Sequence, residues 1–399
     1  MKTTLRTKVT IGAFAILLVS FFCLCVLVPA DVQSMSNENR KAKPFPSLTV
    51  KSCSSGEFSK EFEEYLSDSI GFRSFFINIS SYLERHKGFQ AKSGTVTKVA
   101  KNIGLDVSVD EKNSLLITKD KIMEIFYRNR ETEASYADTL NSYRETLPKS
   151  TRMISMLIPT QIEFEENRSL GDSQKEEVDF IYQNLDEDIV KINAYRALLN
   201  NKNEYIYFRT DHHWTQRGAF CAYTALSEQL YGVTPDIADY QTENHGSFLG
   251  SLYKQTNDKS VEKNPDTLIQ FKKCENYDVA CRAYENGAFV DYAACLYKNT
   301  DYGTPVDYGF FMCGDHPFAK ITTQNQNGKT LLVIKDSYAN ALIPFLCENY
   351  ETVLVIDPRN YSGTVSSLAE EYRIDDCLII DYVFATTFSD FIGKLNEIL

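Results

Sequence analysis

Three short runs near the C-terminus constrain this chain most. They are KTLLVIKDS, ETVLVIDPR and DCLIIDYV, and each carries four consecutive apolar residues, 331–334, 353–356 and 377–380. Strands with almost no polar residue inside them read as members of a parallel sheet covered on both faces. The segments between them, YANALIPFLCENY and SSLAEEYR, read as helices, and FSDFIGKLNEIL as a closing helix. Strands that alternate with helices predict an α/β fold. Upstream, RMISMLIPT and EYIYF read as further strands, and EEVDFIYQNL as a helix. TQRGAFCAYTALSEQLYG reads as a helix capped by Thr215, with Ala219, Ala222, Tyr223, Leu226 and Leu230 on one side and Gly232 at its end. Residues 235–328, rich in Tyr, Asn and Gly, read as a substrate-side insertion with some strands.

The 399 residues suffice for one large domain or two ordinary ones, and 43% hydrophobic with 24% charged residues suits a folded chain. A net charge of -12 without a block of Lys and Arg argues against nucleic acid. The N-terminus has its own texture. Lys2, Arg6 and Lys8 precede an uncharged run from Val9 to Val28. That run matches the roughly 20 residues that cross a bilayer as a helix. The positive flank puts the N-terminus in the cytoplasm and the rest outside. The expectation is therefore a single-pass, cell-membrane protein with residues 1–30 as cytoplasmic tip and signal anchor; cleavage near Ala30, giving a secreted chain, is the alternative. Residues 31–55 read as a polar linker. Residues 56–150 read as a helical lead-in, in which Phe58, Phe62, Tyr65 and Leu66 share one face and Phe75, Phe76, Ile79 and Leu83 another, followed by the helix ETEASYADTLNSYRET, stopped by Pro148. Of ten cysteines, eight lie beyond the anchor and four (Cys274, Cys281, Cys295, Cys313) in one region, which an exported protein could pair.

Two strand ends carry reactive residues. EYIYFRTDHHW holds two of the five histidines and the one tryptophan, and LLVIKDSYAN ends at Ser337. In open α/β sheets ligands bind beyond the carboxyl ends of the strands. A serine at a strand-to-helix turn exposes its hydroxyl, but it needs a base, and the base needs an orienting group. In extended backbone, residues two apart face the same way. Asp211 and His213 then point together, Asp211 holding the ring and the other ring nitrogen facing Ser337, with His212 turned away in a supporting role. Trp214 reads as packing rather than as a wall of the site.

Other readings of these residues stay open. A serine after an apolar strand is often only a helix cap. Asp-His-His could be part of a zinc or manganese site, with His245 or His316 completing it. No cofactor is indicated, and no metal is assigned.

Taken together, ENRKAKPFP, FEEYLSDSIGFR, TDHHW, HGSFLGSLY and LLVIKDSYANALIPFLCENYETVLVIDPR resemble the DHHW proteins. These are similar to the alginate O-acetyltransferase-like branch of the SGNH hydrolases. The resemblance implies a three-layer α/β/α fold in residues 151–399, with the Asp-x-His motif ahead of the serine motif. It matches Asp211 and His213 to that pair and Ser337 to the nucleophile. The Gly and Asn oxyanion blocks of ordinary SGNH enzymes are not found; the Ser337 amide, Tyr338, Asn340, Gly314 and Asn244 remain candidates. The implied activity is acyl transfer, most naturally acetyl, to a cell-envelope or secreted polysaccharide through an acyl-serine. The implied partner is a multi-pass membrane O-acyltransferase that supplies the acyl group. Two rivals remain: a carbohydrate O-acetyl esterase with the same triad, and a non-catalytic scaffold whose tyrosines at 277–308 bind polysaccharide.

Overall fold

The computed structural model describes residues 114–399 apart from 166–169, 274–276, 286–287 and 301–305, together with the backbone of Ser108–Asp110 and scattered positions between 14 and 65. Contacts divide the chain into one unit made of Met1–Ser93 and Lys254–Asp258, and a larger one made of Gly94–Tyr253 and Lys259–Leu399. In the first unit, Phe58, Phe62 and Tyr65 are helical, and the Phe58 and Phe62 rings stack with centroids 5.7 Å apart. Leu66 and the second expected face at 75–83 lie outside the described residues. So does the expected anchor, apart from Phe14; among the described residues no helix is long and apolar enough to cross a membrane.

The second unit opens with a small antiparallel sheet of β1 (Ser108–Asp110), β2 (Leu115–Ile117) and β3 (Ile122–Glu124). Helix α1 (Arg130–Thr146) leads into β4 (Arg152–Ile158), α2 (Gln174–Asn184), β5 (Val190–Lys191), α3 (Ala194–Asn200) and α4 (Gln216–Tyr231). A two-stranded sheet follows, β6 (Gln241–Phe248) with β7 (Asp266–Lys272). Then come β8 (Tyr277–Glu285), β9 (Ala288–Ala293), β10 (Phe318–Thr323), β11 (Thr330–Lys335), α5 (Ile343–Leu346), β12 (Thr352–Ile356), α6 (Val365–Glu371), β13 (Asp376–Tyr382) and α7 (Ser389–Glu397). The main sheet has eight strands in the order β5-β4-β13-β11-β12-β10-β8-β9. The pairings from β5 through β12 are parallel, as the apolar runs predict; β10, β8 and β9 extend the sheet with antiparallel pairings. The region 235–328 thus contributes three strands, β10, β8 and β9, to one edge of the sheet.

Each apolar run splits its residues between two cores because successive side chains leave a strand on opposite faces. On β11, Leu331 and Val333 join the core under α3 and α4, while Leu332 and Ile334 join the core under α1, α2, α6 and α7. On β13, Leu378 and Ile380 go one way and Cys377 and Ile379 the other. Two buried faces make three layers, helix on sheet on helix. Helix α4 begins as the sequence predicts: the Thr215 side chain accepts from the Gly218 amide, and Gly232 at φ 67° closes it in the left-handed conformation.

Three local expectations are corrected. The lead-in expected to be helical over 56–150 carries the β1–β3 sheet, because the short apolar runs of β2 and β3 flank a tight turn in which Thr118 N–H donates to the Lys121 carbonyl. EYIYF is not a strand of the sheet; Tyr207 forms only an isolated antiparallel bridge with Trp214. YANALIPFLCENY is not one helix; it is a 3-10 turn, Ser337–Ala341, followed by the single turn of α5. Pro344 in the first turn has no amide to offer an upstream carbonyl, so a continuous helix cannot run through from Ser337.

Candidate active site

The backbone of the TDHHW segment reverses direction. Phe208 N–H donates to the His213 carbonyl and Thr215 N–H to the Ile206 carbonyl, closing a hairpin whose tip holds Asp211 and His212. Two features fix the loop in place. Gly218 sits so close that a Cβ there would lie 2.2 Å from the Ile206 carbonyl oxygen, so only glycine lets α4 start against this segment. The buried Asp266 carboxylate accepts from the Arg209 amide (2.6 Å), the Thr210 amide (2.8 Å), the Thr210 hydroxyl and the Tyr205 hydroxyl (2.7 Å). Loop backbone buried away from water needs such partners, and one carboxylate supplies most of them.

The structure brings Asp211, His213 and Ser337 together. His213 Nδ1 lies 2.6 Å from Asp211 Oδ1, and His213 Nε2 lies 2.8 Å from Ser337 Oγ. Asp211 Oδ1 also accepts from the His213 amide at 3.1 Å, and Oδ2 from the Ser251 amide at 2.8 Å. Burial alone would push the Asp211 carboxyl up. The facing His213, its hydrogen bond, His212 and the Ser251 amide outweigh this and hold the group well below the usual carboxylate range. An ionised carboxylate only accepts, so His213 donates from Nδ1, and Nε2 is left to accept from the Ser337 hydroxyl. The pair is assembled by a turn, not by extended backbone. Consequently His212 is not turned away: its ring centroid lies 3.7 Å from that of His213, and its Nδ1 bonds the Ser251 hydroxyl at 2.7 Å. Burial, then the neighbouring His213, hold the His212 imidazole below its ordinary value.

Gly250, in HGSFLG, is essential to the arrangement. A Cβ at this position would lie 2.3 Å from Asp211 Cβ, so the backbone bringing the Ser251 amide to Asp211 must be glycine. Gly250 N–H in turn donates to the Thr210 hydroxyl at 2.8 Å.

Ser337 sits two residues past the end of β11, after Asp336. Asp336 caps the turn: its carboxylate accepts from the Tyr338 amide (2.8 Å) and the Tyr382 amide (2.8 Å). Burial pushes the Asp336 carboxyl up to about 6, against these two amides. The Tyr338 carbonyl accepts from Trp214 Nε1 and from the Tyr308 hydroxyl, each at 2.7 Å. Trp214 is fully buried, so its role is packing and one hydrogen bond that ties the histidine loop to the serine turn. The Tyr338 hydroxyl donates back to the His212 carbonyl. Behind the serine, buried Lys335 pairs with Asp315 at 2.6 Å, and Arg359 reaches the same carboxylate at 2.9 Å. Ser337, His212, Arg359, Tyr382, Phe388 and Lys394 line one cleft of about 570 Å³.

The oxyanion candidates separate. The Tyr338 amide is taken by Asp336, and Asn340 Nδ2 donates to Asp315 at 2.9 Å. Asn244 accepts from the Gly246 amide at 2.9 Å. Gly314 follows Met312 and Cys313 in a run of three left-handed residues, φ 57°, 57° and 97°, and places Asp315 rather than a donor at the serine turn. Among the described residues no hydrogen bond engages the Ser337 amide, which leaves it the open donor among these candidates.

Asp211, His212 and His213 have ligand atoms within 4.8 Å of one another, the spacing a metal ion needs. Yet both His213 ring nitrogens and His212 Nδ1 are already committed to hydrogen bonds. His245 and His316 do not complete the group: His245 bonds Gln270 and Thr300, and His316 bonds the Met312 carbonyl and the Tyr292 hydroxyl. Among the cysteines, Cys295 and Cys313 form a disulfide, while Cys221, Cys281, Cys347 and Cys377 are buried thiols.

Sequence reasoning missed Asp266, Ser251 and Gly250, and read Tyr308 only among the tyrosines at 277–308 that could bind polysaccharide, whereas it is buried against His213. HGSFLGSLY was the one signal for Ser251 and Gly250; Tyr308 and Asp266 lie in the least regular region and carried none.

The matches to known proteins follow this geometry. The chain is similar to a DHHW family protein from Eubacterium siraeum, at 25% identity over 74% of this chain and 98% of that one, with a TM-score of 0.65. It is similar in fold to Bacillus cereus PatB1, solved with a sulfonyl adduct, at 18% identity over 72% of this chain and 98% of that one, TM-score 0.59. A looser likeness is to the O-acetyltransferase domain of Pseudomonas putida AlgJ, at 13% identity over 73% of this chain and 98% of that one, with a TM-score of 0.40. No curated protein matches the chain. The DHHW protein family pattern matches residues 100–356, more than half of the sequence, and spans both segments that build the site; the chain belongs to the DHHW family.

Proposed function

We propose that this protein is a serine acyltransferase that works outside the cytoplasm and moves an acyl group, most naturally acetyl, onto hydroxyls of a cell-envelope or secreted polysaccharide. One observation carries the reading: the unbroken relay from Asp211 through His213 to Ser337, at 2.6 and 2.8 Å. His213 takes the Ser337 proton as Oγ attacks the acyl carbonyl, the Ser337 amide supports the developing oxyanion, and the leaving group departs with the proton. A sugar hydroxyl then gives its proton to His213 as it attacks the acyl carbonyl, and Ser337 Oγ leaves with that proton returned from His213.

The location rests on Lys2, Arg6 and Lys8 ahead of the uncharged run from Val9 to Val28. The Cys295–Cys313 disulfide fits an oxidising compartment. Acetyl-CoA is cytoplasmic, so the reading requires a supplier, and a multi-pass membrane O-acyltransferase would deliver the group next to an anchored domain. Ser337 is only half-buried beside its cleft, and this favours hydrolysis as the second reading, with water replacing the sugar.

The test is turnover of p-nitrophenyl acetate by the purified chain, with and without polysaccharide extracted from the source cells. Loss of turnover in both Ser337→Ala and His213→Ala, with acetyl appearing on the polysaccharide in the parent, supports transfer. Acetyl released only to water supports the esterase. Turnover unchanged in both variants overturns the triad.

A further inference from the structure

We propose that Tyr308 is a positioning residue for His213: it fixes the imidazole plane between Asp211 and Ser337 and supports the positive charge the ring acquires when it takes the serine proton. The proposal rests on the acyl-transfer reading above and adds a residue to it from the insertion. The two rings lie parallel, with centroids 3.6 Å apart and planes within 8°. This is face-to-face contact, closer than the roughly 4.5–7 Å between the centroids of ordinary aromatic pairs. The phenol ring is itself locked. Tyr308 is 4% exposed, its hydroxyl donates to the Tyr338 carbonyl at 2.7 Å, and the same oxygen accepts from the Ala341 amide at 3.4 Å. One side chain therefore touches the base with its face and the turn carrying Ser337 with its edge.

The backbone presenting Tyr308 is built to hold it. Tyr308–Phe310 is a 3-10 turn whose cap, Asp307, accepts from the Gly309 amide at 3.0 Å. Phe311 bridges to Tyr297, and the Cys295–Cys313 disulfide closes the segment around the turn.

The electrostatics favour a cation at His213. The Asp211 carboxylate lies in contact with the ring edge, and the neutral faces of Tyr308 and His212 cover the ring. The Ser337 hydroxyl and the Tyr338 ring, 5.2 Å away, complete the near environment. Glu124 of β3 lines the small cavity under Asp211 and His213. Asp315 and Asp336 stand with Lys335 and Arg359 behind the serine turn. Burial holds the Tyr308 phenol well above its ordinary value, so the ring stays uncharged and electron-rich. A cation against an electron-rich aromatic face is stabilised by the ring quadrupole. During attack, the proton on Ser337 Oγ passes to Nε2 as the Oγ–acyl bond forms, while Nδ1 keeps its own proton on Asp211. The imidazolium so formed is the species Tyr308 supports.

The test uses the full chain in detergent with p-nitrophenyl acetate. Tyr308 is replaced by Phe, by pentafluorophenylalanine, which keeps the shape and reverses the ring quadrupole, and by Leu. The expected order of kcat is parent close to Tyr308→Phe, then the fluorinated ring about three- to tenfold lower, then Tyr308→Leu lower still, with KM unchanged throughout. A proton NMR signal far downfield, from Nδ1–H on Asp211, is expected in the parent and in Tyr308→Phe and lost in Tyr308→Leu. Parent-like kcat in Tyr308→Leu, or as large a loss in Tyr308→Phe, overturns the proposal. Equal kcat for Phe and its fluorinated form removes the charge-supporting role. The fluorinated variant keeps the volume of the ring and so covers the case in which Tyr308→Leu does not fold. A parent chain without turnover defeats the acyl-transfer reading alone; the NMR signal still decides whether Tyr308 positions the ring, and its survival in Tyr308→Leu overturns that.

Discussion

The serine and the histidine reach the same point by different means. Ser337 follows β11, a central strand whose Leu331, Leu332, Val333 and Ile334 are all fully buried, so its position is fixed by hydrophobic packing on both faces. His213 stands on a hairpin loop fixed by polar groups: Asp266 holding Arg209 and Thr210, the Ser251 amide holding Asp211, and Tyr308 against the ring. Packing is collective and tolerates single losses in geometry while losing stability. A polar frame is a short list of directed contacts, and losing one member moves the base. The two halves of the site should therefore fail differently.

The largest effect belongs to the loop side. In Asp211→Asn the amide can donate to His213 Nδ1 and drive its proton to Nε2, where it faces Ser337 as the wrong tautomer. We expect ester turnover to fall by about 10³–10⁴-fold with the thermal midpoint nearly unchanged. Turnover within tenfold of the parent would break the comparison. Gly250→Ala comes next. Its Cβ must displace Asp211, which it would otherwise approach to 2.3 Å. A misplacement of that order costs about 10- to 100-fold in kcat, and urea unfolding should show a smaller loss, about 1–3 kcal/mol. On the sheet side, Leu332→Ala should show the reverse pattern: about 2–5 kcal/mol of stability lost in the same urea measurement, with kcat of the folded protein held. A variant at Leu332 that kept its stability and lost its kcat would contradict the division.

The division also explains what was readable beforehand. The apolar runs on β11, β12 and β13 state their burial in one dimension, because strand periodicity is local, and the parallel sheet and the placement of Ser337 follow from them. TDHHW marks itself by composition, and the motif order matches the DHHW resemblance. The supports do not mark themselves. Asp266 stands 56 residues from Thr210, and Tyr308 30 residues from Tyr338, so neither contact has a local signature. The extended-strand argument brought Asp211 to His213 but for the wrong reason, and it turned His212 away because it took a tight turn for a strand.

The smallest expected effect on turnover lies away from the site, in the Arg128–Glu133–Glu177 cluster that joins α1 and α2. Burial, then the hydrogen-bonded Glu133, push the Glu177 carboxyl up to about 8 from an ordinary value of 4.5. The folded state therefore holds this proton more tightly than the unfolded chain. Its stabilising contribution is complete below about pH 4.5 and is lost as pH rises toward about 8. The thermal midpoint of the parent should decline across that window, and Glu177→Gln should flatten the decline. An unchanged slope in Glu177→Gln would show that the proton sits elsewhere in the cluster.

The central claim is that His213 and Asp211 make Ser337 a nucleophile. The direct measurement is mass spectrometry of the protein after brief exposure to phenylmethylsulfonyl fluoride, a reagent that modifies activated serines. We predict a single adduct on the peptide containing Ser337, none in Ser337→Ala, and formation slowed by orders of magnitude in Asp211→Asn. An adduct on another residue, or one on Ser337 that forms as fast without Asp211, would contradict the account.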